Sequence, residues 1–439
     1  MTVKVCDALC GSGKTSAAIR MMNERTDCKF IFVTQYLTEV ERIKTGCAGR
    51  GFVEPESGGD MKTTKLSSLH KLLARGANIA TTHALFTSYT DETKKLIQDQ
   101  GYVLVLDEVV DAISLPEITQ GDMEILIKSG SVAEEGGQLV WVYEDYVKDL
   151  EGRFREEMLR ARANNFFKYA DQCYCWVIPP ELFTCFEDVY ILTYMFHAQP
   201  LRNFFEIYEI EYEIIGTRKC GFGYEFCKRE EMNRVRELRD KIHVLEHSKL
   251  NSIGSRRSCL SMSWYLKAAG EDDTVELEQL KKNLTNLFRN IWQAKANEIM
   301  WTTFKVARER LASRGYGGSF VTYNKRASNE YASRKYLAYC VNNFPRPWEF
   351  NFYKERGSDM DSDGYALSIL IQWIFRAAIR NNEEIWVYIP SARMRTLLLD
   401  WLDKLAEGRD LETIKYITPR KKYSKKASKK KKKSSKKSK

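Results

Sequence analysis

The sequence predicts an α/β protein of two domains, each built on a parallel sheet. Short apolar runs recur in the first half of the chain with helical patterns between them, at residues 3–9, 29–34, 77–81, 102–107 and 188–193. Such runs are typical of βαβ units, whose parallel sheet is covered on both faces. With 439 residues, of which 44% are hydrophobic, the chain is long enough for two cores of ordinary size.

The first domain is expected to span residues 1–205. Residues 3–9 are predicted as a buried strand and residues 16–25 as a helix, so the glycines between them lie on a strand-to-helix turn. A charged pattern with helical periodicity separates the strands between residues 112 and 187 and is clearest at 144–170. We interpret this segment as a helical insertion.

The second domain is expected to span residues 206–418. Its predicted strands begin at residue 206 and continue at 241–246, 318–323 and 384–389. A second helical insertion is predicted at 270–313, where charged and apolar residues recur at helical spacing. The alternation of strands and helices again predicts an α/β arrangement.

The formal net charge of +10 comes from the C-terminal tail. Residues 420–439 carry 13 Lys and Arg and no acid, so the rest of the chain has a net charge of about −3. Like charges and a lack of apolar residues predict that residues 419–439 are disordered. We interpret this tail as a non-specific DNA anchor, as a docking segment for replication or recombination proteins, or as a solubilising element.

The 11 cysteines are scattered, without a C-x-x-C pair, which is typical of reduced thiols in a cytoplasmic protein. For a viral protein the compartment would be the host cytoplasm. No stretch approaches the roughly 18 apolar residues of a membrane span, so no membrane partner is expected.

A phosphate-binding loop is predicted at residues 8–15, which read ALCGSGKT. The segment fits the P-loop pattern with Ala8 in place of the first glycine, and it follows a predicted strand and precedes a predicted helix. Glycines let the backbone N–H groups turn inward around phosphates, Lys14 places its ammonium on the β and γ oxygens, and Thr15 is a ligand for Mg²⁺. The predicted ATP-binding residues here are Ala8, Gly11, Ser12, Gly13, Lys14 and Thr15.

Asp107 and Glu108 supply the second half of a nucleotide site. The apolar residues 103–106 predict a buried strand that delivers both carboxylates to its C-terminal end, where open α/β sheets bind ligands. Asp107 is expected to hold Mg²⁺, and Glu108 to polarise the attacking water. Together with the phosphate loop, the pair predicts an enzyme that hydrolyses ATP.

Gln372, Arg376 and Arg380 lie on a predicted helix with the sequence QWIFRAAIR. Their four-residue spacing stacks them on one face, from which two guanidinium groups would reach a γ-phosphate across a cleft. Such an arginine stabilises charge in the transition state and couples hydrolysis to domain closure. The alternative is a basic helix face that pairs with surface acids.

With these residues, the chain resembles superfamily 2 helicases of the DEAD/DEAH kind, most closely the compact helicases of bacteriophages and mobile elements. ALCGSGKT resembles motif I, LDEVVD motif II and QWIFRAAIR motif VI. VTQYLTEVERI at 33–43 and IATTHALF at 79–86 resemble the nucleic-acid contact motifs of the first domain. Residues 191–194 lie where the family has motif III, and residues 320–324 resemble motif IV. Residues 357–361 are either motif V or a surface loop.

The resemblance implies two RecA-like domains with ATP in the cleft between them and a single nucleic-acid strand across their outer surface. The strand contacts that it implies are Thr34, Thr82, His83 and Thr322. Motif VI of the family places its last arginine three residues after the previous one, whereas the gap here is four. Arg376 and Arg380 therefore both stay candidates for the arginine that senses the γ-phosphate.

The sequence thus predicts an ATP-dependent nucleic-acid helicase or translocase, with single-stranded DNA as the expected track and ATP and Mg²⁺ as its nucleotide and metal. Two other functions fit the same motifs. One is a packaging-type motor, and the other is an ATP-gated clamp that remodels nucleic acid without unwinding it.

Overall fold

Short strands and helices alternate along the chain. We describe a computed structural model, which covers residues 2–58, 64–143, 152–170, 173–221, 223–232, 237–268, 270, 275–324 and 330–409. The predicted tail at 419–439 lies outside the described residues.

The strands are β1 (Thr2–Asp7), β2 (Lys29–Thr34), β3 (Ile79–Thr82), β4 (Tyr102–Asp107), β5 (Ile113–Ser114), β6 (Val132–Glu135), β7 (Gln138–Trp141), β8 (Phe166–Ala170), β9 (Cys173–Val177), β10 (Asp188–Thr193), β11 (Tyr212–Cys220), β12 (Gly223–Lys228), β13 (Ile242–Val244), β14 (Ile299–Thr302), β15 (Tyr336–Tyr339) and β16 (Ile385–Tyr388). The α-helices are α1 (Lys14–Glu24), α2 (Leu37–Gly46), α3 (Lys65–Ala74), α4 (His83–Phe86), α5 (Asp91–Gln100), α6 (Gln120–Lys128), α7 (Arg155–Arg162), α8 (Glu181–Thr184), α9 (Pro200–Ile207), α10 (Leu238–Lys241), α11 (Ser248–Asn251), α12 (Met262–Ala268), α13 (Val275–Asn286), α14 (Lys305–Leu311), α15 (Pro347–Glu355), α16 (Ser362–Ile374) and α17 (Ala392–Ala406).

Seven strands form the sheet of the first domain, in the order β12-β11-β1-β10-β4-β2-β3. All neighbours are parallel except β12, which pairs antiparallel with β11 at one edge. The central strands bury side chains on both faces, with Val5 and Leu104 in one core cluster and Phe32 and Leu192 in the other. The predicted α/β fold is confirmed, and so are the five strands predicted in this domain.

The segment between β4 and β10 contains a small antiparallel sheet, so the prediction of a helical insertion at 112–187 is wrong. Its strands lie in the order β5-β9-β8-β7-β6, and with α6 and α7 they enclose Trp141, Phe166 and Trp176. Of the helix predicted at 144–170, the described residues include only α7. Asn164 adopts a φ of 58°, a left-handed conformation that ends helices, and the aromatic residues after it favour a strand.

The hairpin of β11 and β12 belongs to the first sheet, so the domain boundary predicted at residue 206 is wrong. Residue 206 lies inside α9, and β11 pairs in parallel with β1, with Tyr212 opposite Val3. The apolar pattern after residue 206 correctly indicates a strand, but a local pattern does not say which sheet the strand joins. The first domain therefore extends to Lys228.

Four parallel strands form the second sheet, in the order β13-β16-β15-β14. The predictions of strands at 241–246 and 384–389 are confirmed as β13 and β16. Residues 318–323 are not a strand, because they form the 3₁₀ helix Gly317–Ser319 and a single bridge between Phe320 and Trp301. Strands β14 and β15 have four residues each, too few for periodicity to reveal them.

The segment predicted as a helical insertion at 270–313 is an ordinary part of the second domain. Helices α13 and α14 flank β14, and their leucines Leu280, Leu284 and Leu311 are buried in the core of the domain. The helical periodicity of this segment comes from α13 and α14, which cover the second sheet. Strand β14 between them was not predicted, because four residues are too few to show a strand period.

Side chains of the two domains pack and form hydrogen bonds with each other where the domains meet. Tyr194 and Met195, which follow β10, pack in the core of the second domain. The indole Nε1 of Trp401 donates a hydrogen bond to Tyr194 OH at 2.9 Å, and Gln199 Nε2 donates to Ser368 Oγ at 3.2 Å. The end of β10 is therefore anchored in both domains.

No disulfide links the ten cysteines whose side chains the structure describes. In the described part of the chain, no helix combines the length and the apolar character needed to cross a membrane.

Arg393 is buried and joins separate segments of the second domain. Its Nη1 donates hydrogen bonds to Asn342 Oδ1 at 3.0 Å and to Asn343 O at 2.8 Å, and its Nη2 donates to Ser362 O at 2.9 Å. The same guanidinium forms an ion pair with Asp363 at 2.7 Å. The hydrogen bonds of this side chain thus hold the loop after β15 against the start of α16.

Replacing Arg393 with Met should destabilise the second domain by about 3–5 kcal/mol, because Asp363 would keep a largely buried charge without its partner. The matched control is Arg239→Met, which removes an exposed ion pair with Asp403 and should cost less than about 1 kcal/mol. Urea denaturation of both variants measures the difference. Equal losses would contradict a structural role for the buried pair.

Candidate active site

The predicted phosphate loop connects β1 to α1, as the sequence indicates. Gly11 and Gly13 have φ angles of 81° and 83°, a left-handed conformation that favours glycine. The loop folds on itself through a hydrogen bond from Ser12 N–H to Leu9 O at 3.1 Å. Its first residue is fixed to the neighbouring strand, because Ala8 N–H donates to Thr193 O at 3.1 Å.

Lys14 begins α1 and folds back over the loop. Its ammonium donates hydrogen bonds to Ala8 O at 2.6 Å and to Leu9 O at 3.1 Å, and its side chain is mostly buried. The loop carbonyls thus hold the cation in place. A phosphate oxygen would be a stronger partner than these carbonyls, because both charges would take part in the hydrogen bond.

Thr15 and Asp107 bring two oxygen ligands together at the loop. The Thr15 hydroxyl donates to Asp107 Oδ1 at 3.3 Å. Burial raises the pKa of Asp107 to about 7, the charge of Glu108 raises it as well, and Lys14 lowers it. Mg²⁺ is usually held by one or two protein oxygens together with phosphates and water, so these two residues fit a metal that arrives with a nucleotide.

Glu108 occupies a backbone conformation that is uncommon for a residue with a side chain. Its φ is 66°, which costs about 1–3 kcal/mol outside glycine, and its N–H donates to Leu192 O at 2.9 Å. Its Oε2 is buried and has no hydrogen-bond partner among the described residues. Buried polar atoms are normally satisfied, and strained residues of this kind cluster at functional sites.

Helix α16 ends at Ile374, so the prediction of one helical face across residues 372–380 is wrong. The N–H of Ala378 donates to Arg334 O at 2.9 Å, which draws the chain away from the helix axis. Arg376 lies in the turn after the helix, and Arg380 lies in the 3₁₀ helix Ala378–Asn381. This hydrogen bond to a residue distant in sequence favours the end of α16, and the local spacing of residues 372–380 does not reveal it.

Both arginines nevertheless lie near the phosphate loop. Burial raises the pKa of the Cys10 thiol inside the loop, whereas the charges of Lys14, Arg376 and Arg380 lower it. Both guanidinium groups therefore lie within electrostatic range of Cys10, and Arg376 also lines the interdomain cavity with residues 109–111. Arg376 is buried and its Nε donates to Gln372 O at 3.3 Å, while Arg380 is exposed.

The predicted nucleic-acid contacts fall in two places. Thr34 and Thr82 are register partners at the carboxyl ends of β2 and β3, where Thr34 is buried and Thr82 is half-buried. The His83 ring lies at the end of β4, with its Nε2 at 3.1 Å from the backbone oxygen of Asp107. Thr322 is half-buried in the second domain, beside Tyr323.

A cavity of about 800 Å³ lies between the two domains beside the acidic pair. Its first-domain wall includes residues 109–111, and its second-domain wall includes Gln372, Arg376 and Tyr323. Two partly exposed apolar side chains of α12, Met262 and Leu266, form part of its rim. The cavity therefore lies next to the acidic pair and includes two of the predicted site residues, Gln372 and Arg376.

Four cavity residues that follow β15 were not predicted from the sequence. They offer amide, aromatic and basic groups and are Asn342, Asn343, Phe344 and Arg346. They lie at the carboxyl end of the second sheet, where open α/β sheets bind ligands. Recognition of β15 as a strand would have drawn attention to them.

Residues 357–361, the candidate for motif V, are partly buried, with Ser358 and Met360 buried and Gly357 and Asp359 exposed. Ser358 is buried, and Asn203 Nδ2 donates to its hydroxyl at 2.7 Å across the domain boundary. The same amide donates to Asp359 O at 3.1 Å. The segment is thus part of the contact between the domains.

Comparison with known proteins shows extensive similarity to one prophage protein. The chain is 37% identical over 410 residues to the SPbeta prophage-derived uncharacterized protein YonV of Bacillus subtilis (strain 168), which covers 91% of this chain and 98% of that protein. Residues 236–402 match the model of the YonV C-terminal Rossmann-like domain. This match begins after β12, in agreement with the domain boundary that the sheets indicate.

Two solved structures are also similar to the chain. One is S. tokodaii Xpd4, with a TM-score of 0.47, 11% sequence identity and coverage of 91% of this chain and 93% of that chain. The other is the DUF1998 helicase MrfA bound to DNA, with a TM-score of 0.26, 9% identity and coverage of 88% and 46%.

Glu349 of α15 lines the cavity and gives the fold a pH dependence. Burial raises the pKa of Glu349 to about 7, the charge of Asp111 raises it further, and Arg346 lowers it. The folded protein therefore binds more protons than the unfolded chain between about pH 4.5 and pH 7, and its stability falls as the pH rises through this window.

Replacing Glu349 with Gln should raise the Tm by several degrees at pH 8 and by much less at pH 5, because the substitution removes a carboxylate that is costly to bury only when charged. Thermal unfolding at the two pH values measures the effect. Glu309→Gln, at an exposed position of α14, should change the Tm at neither pH. An equal rise at both pH values in Glu349→Gln would contradict the assignment.

Proposed function

The chain belongs to the family of the SPbeta prophage-derived protein YonV, and we propose that this member is an ATP-dependent helicase or translocase on nucleic acid, with single-stranded DNA as its track. One observation carries the proposal. A hydrogen bond from Thr15 joins the predicted phosphate loop to Asp107, and Arg376 of the second domain lies in the wall of the interdomain cavity with residues 109–111, directly after the acidic pair.

ATP would bind with its phosphates along residues 8–15. Lys14 would exchange the carbonyls of Ala8 and Leu9 for the β and γ oxygens, a short movement because the ammonium already lies inside the loop. Thr15 and Asp107 would hold Mg²⁺, which supplies positive charge to the phosphates. The backbone N–H groups of the loop and the start of α1 would contribute further hydrogen bonds.

Glu108 is the candidate base for hydrolysis. It would accept a proton from a water molecule whose oxygen attacks the γ-phosphorus, while the bond from that phosphorus to the β–γ bridging oxygen breaks and ADP leaves. Its buried Oε2 supports this role, since a water molecule would satisfy it. Arg376 and Arg380 would stabilise the charge that develops on the phosphoryl oxygens and the leaving group.

The second domain would couple this chemistry to strand movement. Both arginines belong to it, so ATP binding would draw the two domains together and hydrolysis would release them. The interdomain cavity offers amides, aromatic rings and Arg346, which suit the bases and phosphates of a single strand. Thr82 and Thr322 would contact the strand on either side.

Lys14→Ala and Glu108→Gln should each reduce ATP turnover by about 100-fold or more. Glu108→Gln should still bind ATP and retain DNA tightly, because it loses only the base, whereas Lys14→Ala should lose ATP affinity. Phosphate release, nucleotide binding and DNA retention measure these three effects. The control is Glu117→Gln, at an exposed position in the segment between β4 and β10. This variant should behave like the unmodified chain.

An active Glu108→Gln enzyme would show that the base is misassigned. Hydrolysis that depends on both residues but separates no strands and moves along none would instead support the ATP-gated clamp.

A further inference from the structure

The hairpin of β11 and β12 extends past the end of β1 and forms a wall beside the phosphate loop. Residues 212–215 of β11 pair with β1, whereas residues 216–220 pair only with β12, at residues 223–227. Because β11 is parallel to β1, this extension lies at the carboxyl edge of the sheet, the edge from which the loop leaves.

The extension contacts the loop at two adjacent residues. The Thr217 hydroxyl donates to Ser12 O at 3.0 Å and lies 3.2 Å from Ser12 Oγ. The ring of Tyr224 lies so close to Gly13 that a Cβ there would be 2.1 Å from Tyr224 Cγ and 2.3 and 2.5 Å from the two Cδ atoms. A side chain at Gly13 would therefore collide with this ring. Tyr224 as a whole is half-buried.

The strand order fixes the direction of a nucleotide on this loop. Strands β10 and β4 lie on one side of β1, and the hairpin lies on the other. Thr15 hydrogen-bonds Asp107 at the end of β4, so the γ-phosphate end of a nucleotide points to that side. The ribose and base, at the opposite end of the phosphate chain, would then leave the loop towards the hairpin. Tyr224 is an aromatic side chain that lies against the loop there.

We propose that Tyr224 stacks on the nucleobase of the bound nucleoside triphosphate, and that the hairpin is the base-binding wall of the site. The inference rests on the proposed ATP site and adds the group that holds the base. An aromatic face stacks on every base, so this contact supplies affinity with little discrimination between bases.

Two ligands separate the base contact from the phosphate contact. Isothermal titration calorimetry in the presence of Mg²⁺ compares ATP with tripolyphosphate, which has a phosphate chain but neither ribose nor base. Tyr224→Ala should weaken ATP binding about tenfold and leave tripolyphosphate binding unchanged, because stacking is lost and the loop is kept. Tyr224→Leu keeps an apolar side chain against Gly13 without an aromatic face and should show the same loss. Tyr224→Phe keeps the ring and should recover most of the affinity for ATP.

The matched control is Tyr143→Ala, at an exposed tyrosine in the segment between β4 and β10. This variant should bind both ligands like the unmodified chain. Unchanged ATP affinity in Tyr224→Ala and Tyr224→Leu would overturn the inference. So would an equal loss of ATP and tripolyphosphate, since Tyr224 would then only support the loop. An unmodified chain that binds neither ligand would refute the proposed function itself, before any variant is compared.

Discussion

The hydrogen bonds at the carboxyl end of β10 determine where the candidate catalytic groups lie. Strand β10 is inserted between β1 and β4, and its last two carbonyls accept hydrogen bonds from both neighbours. Ala8 N–H donates to Thr193 O at 3.1 Å, and Glu108 N–H donates to Leu192 O at 2.9 Å. The first residue of the phosphate loop and the candidate base are thus fixed by adjacent residues of one strand.

The same strand end links the loop to the second domain. Asp7, the last residue of β1, accepts hydrogen bonds from Met195 N–H at 2.7 Å and Phe196 N–H at 3.2 Å. Met195 and its neighbour Tyr194 are packed in the core of the second domain, the domain that carries both arginines. A change in the position of the second domain would therefore be transmitted to the turn that holds the phosphate loop. This arrangement gives the proposed coupling a continuous path of packed and hydrogen-bonded groups.

The parts of the site that consist of one continuous sequence motif could be predicted from the sequence. A phosphate loop needs left-handed glycines followed by Lys and Thr, and an acidic strand end needs a buried apolar run, so both leave compact patterns. The arginine segment was predicted only in part, because the bond from Ala378 to the distant Arg334 ends the helix that spacing alone would continue. The hairpin carrying Tyr224 was assigned to the wrong domain, since strand pairing is decided by tertiary contacts. The cavity residues after β15 went unnoticed because a four-residue strand has no visible period.

Under the proposed function, ATP hydrolysis in the cleft depends on a nucleic-acid strand bound between the domains. The most direct test is the steady-state rate of ATP hydrolysis at one low salt concentration with no nucleic acid, single-stranded DNA, duplex DNA and RNA in parallel. We expect a rate that rises several-fold with single-stranded DNA and rises less with duplex DNA and RNA. A rate that is the same in all four reactions would contradict it.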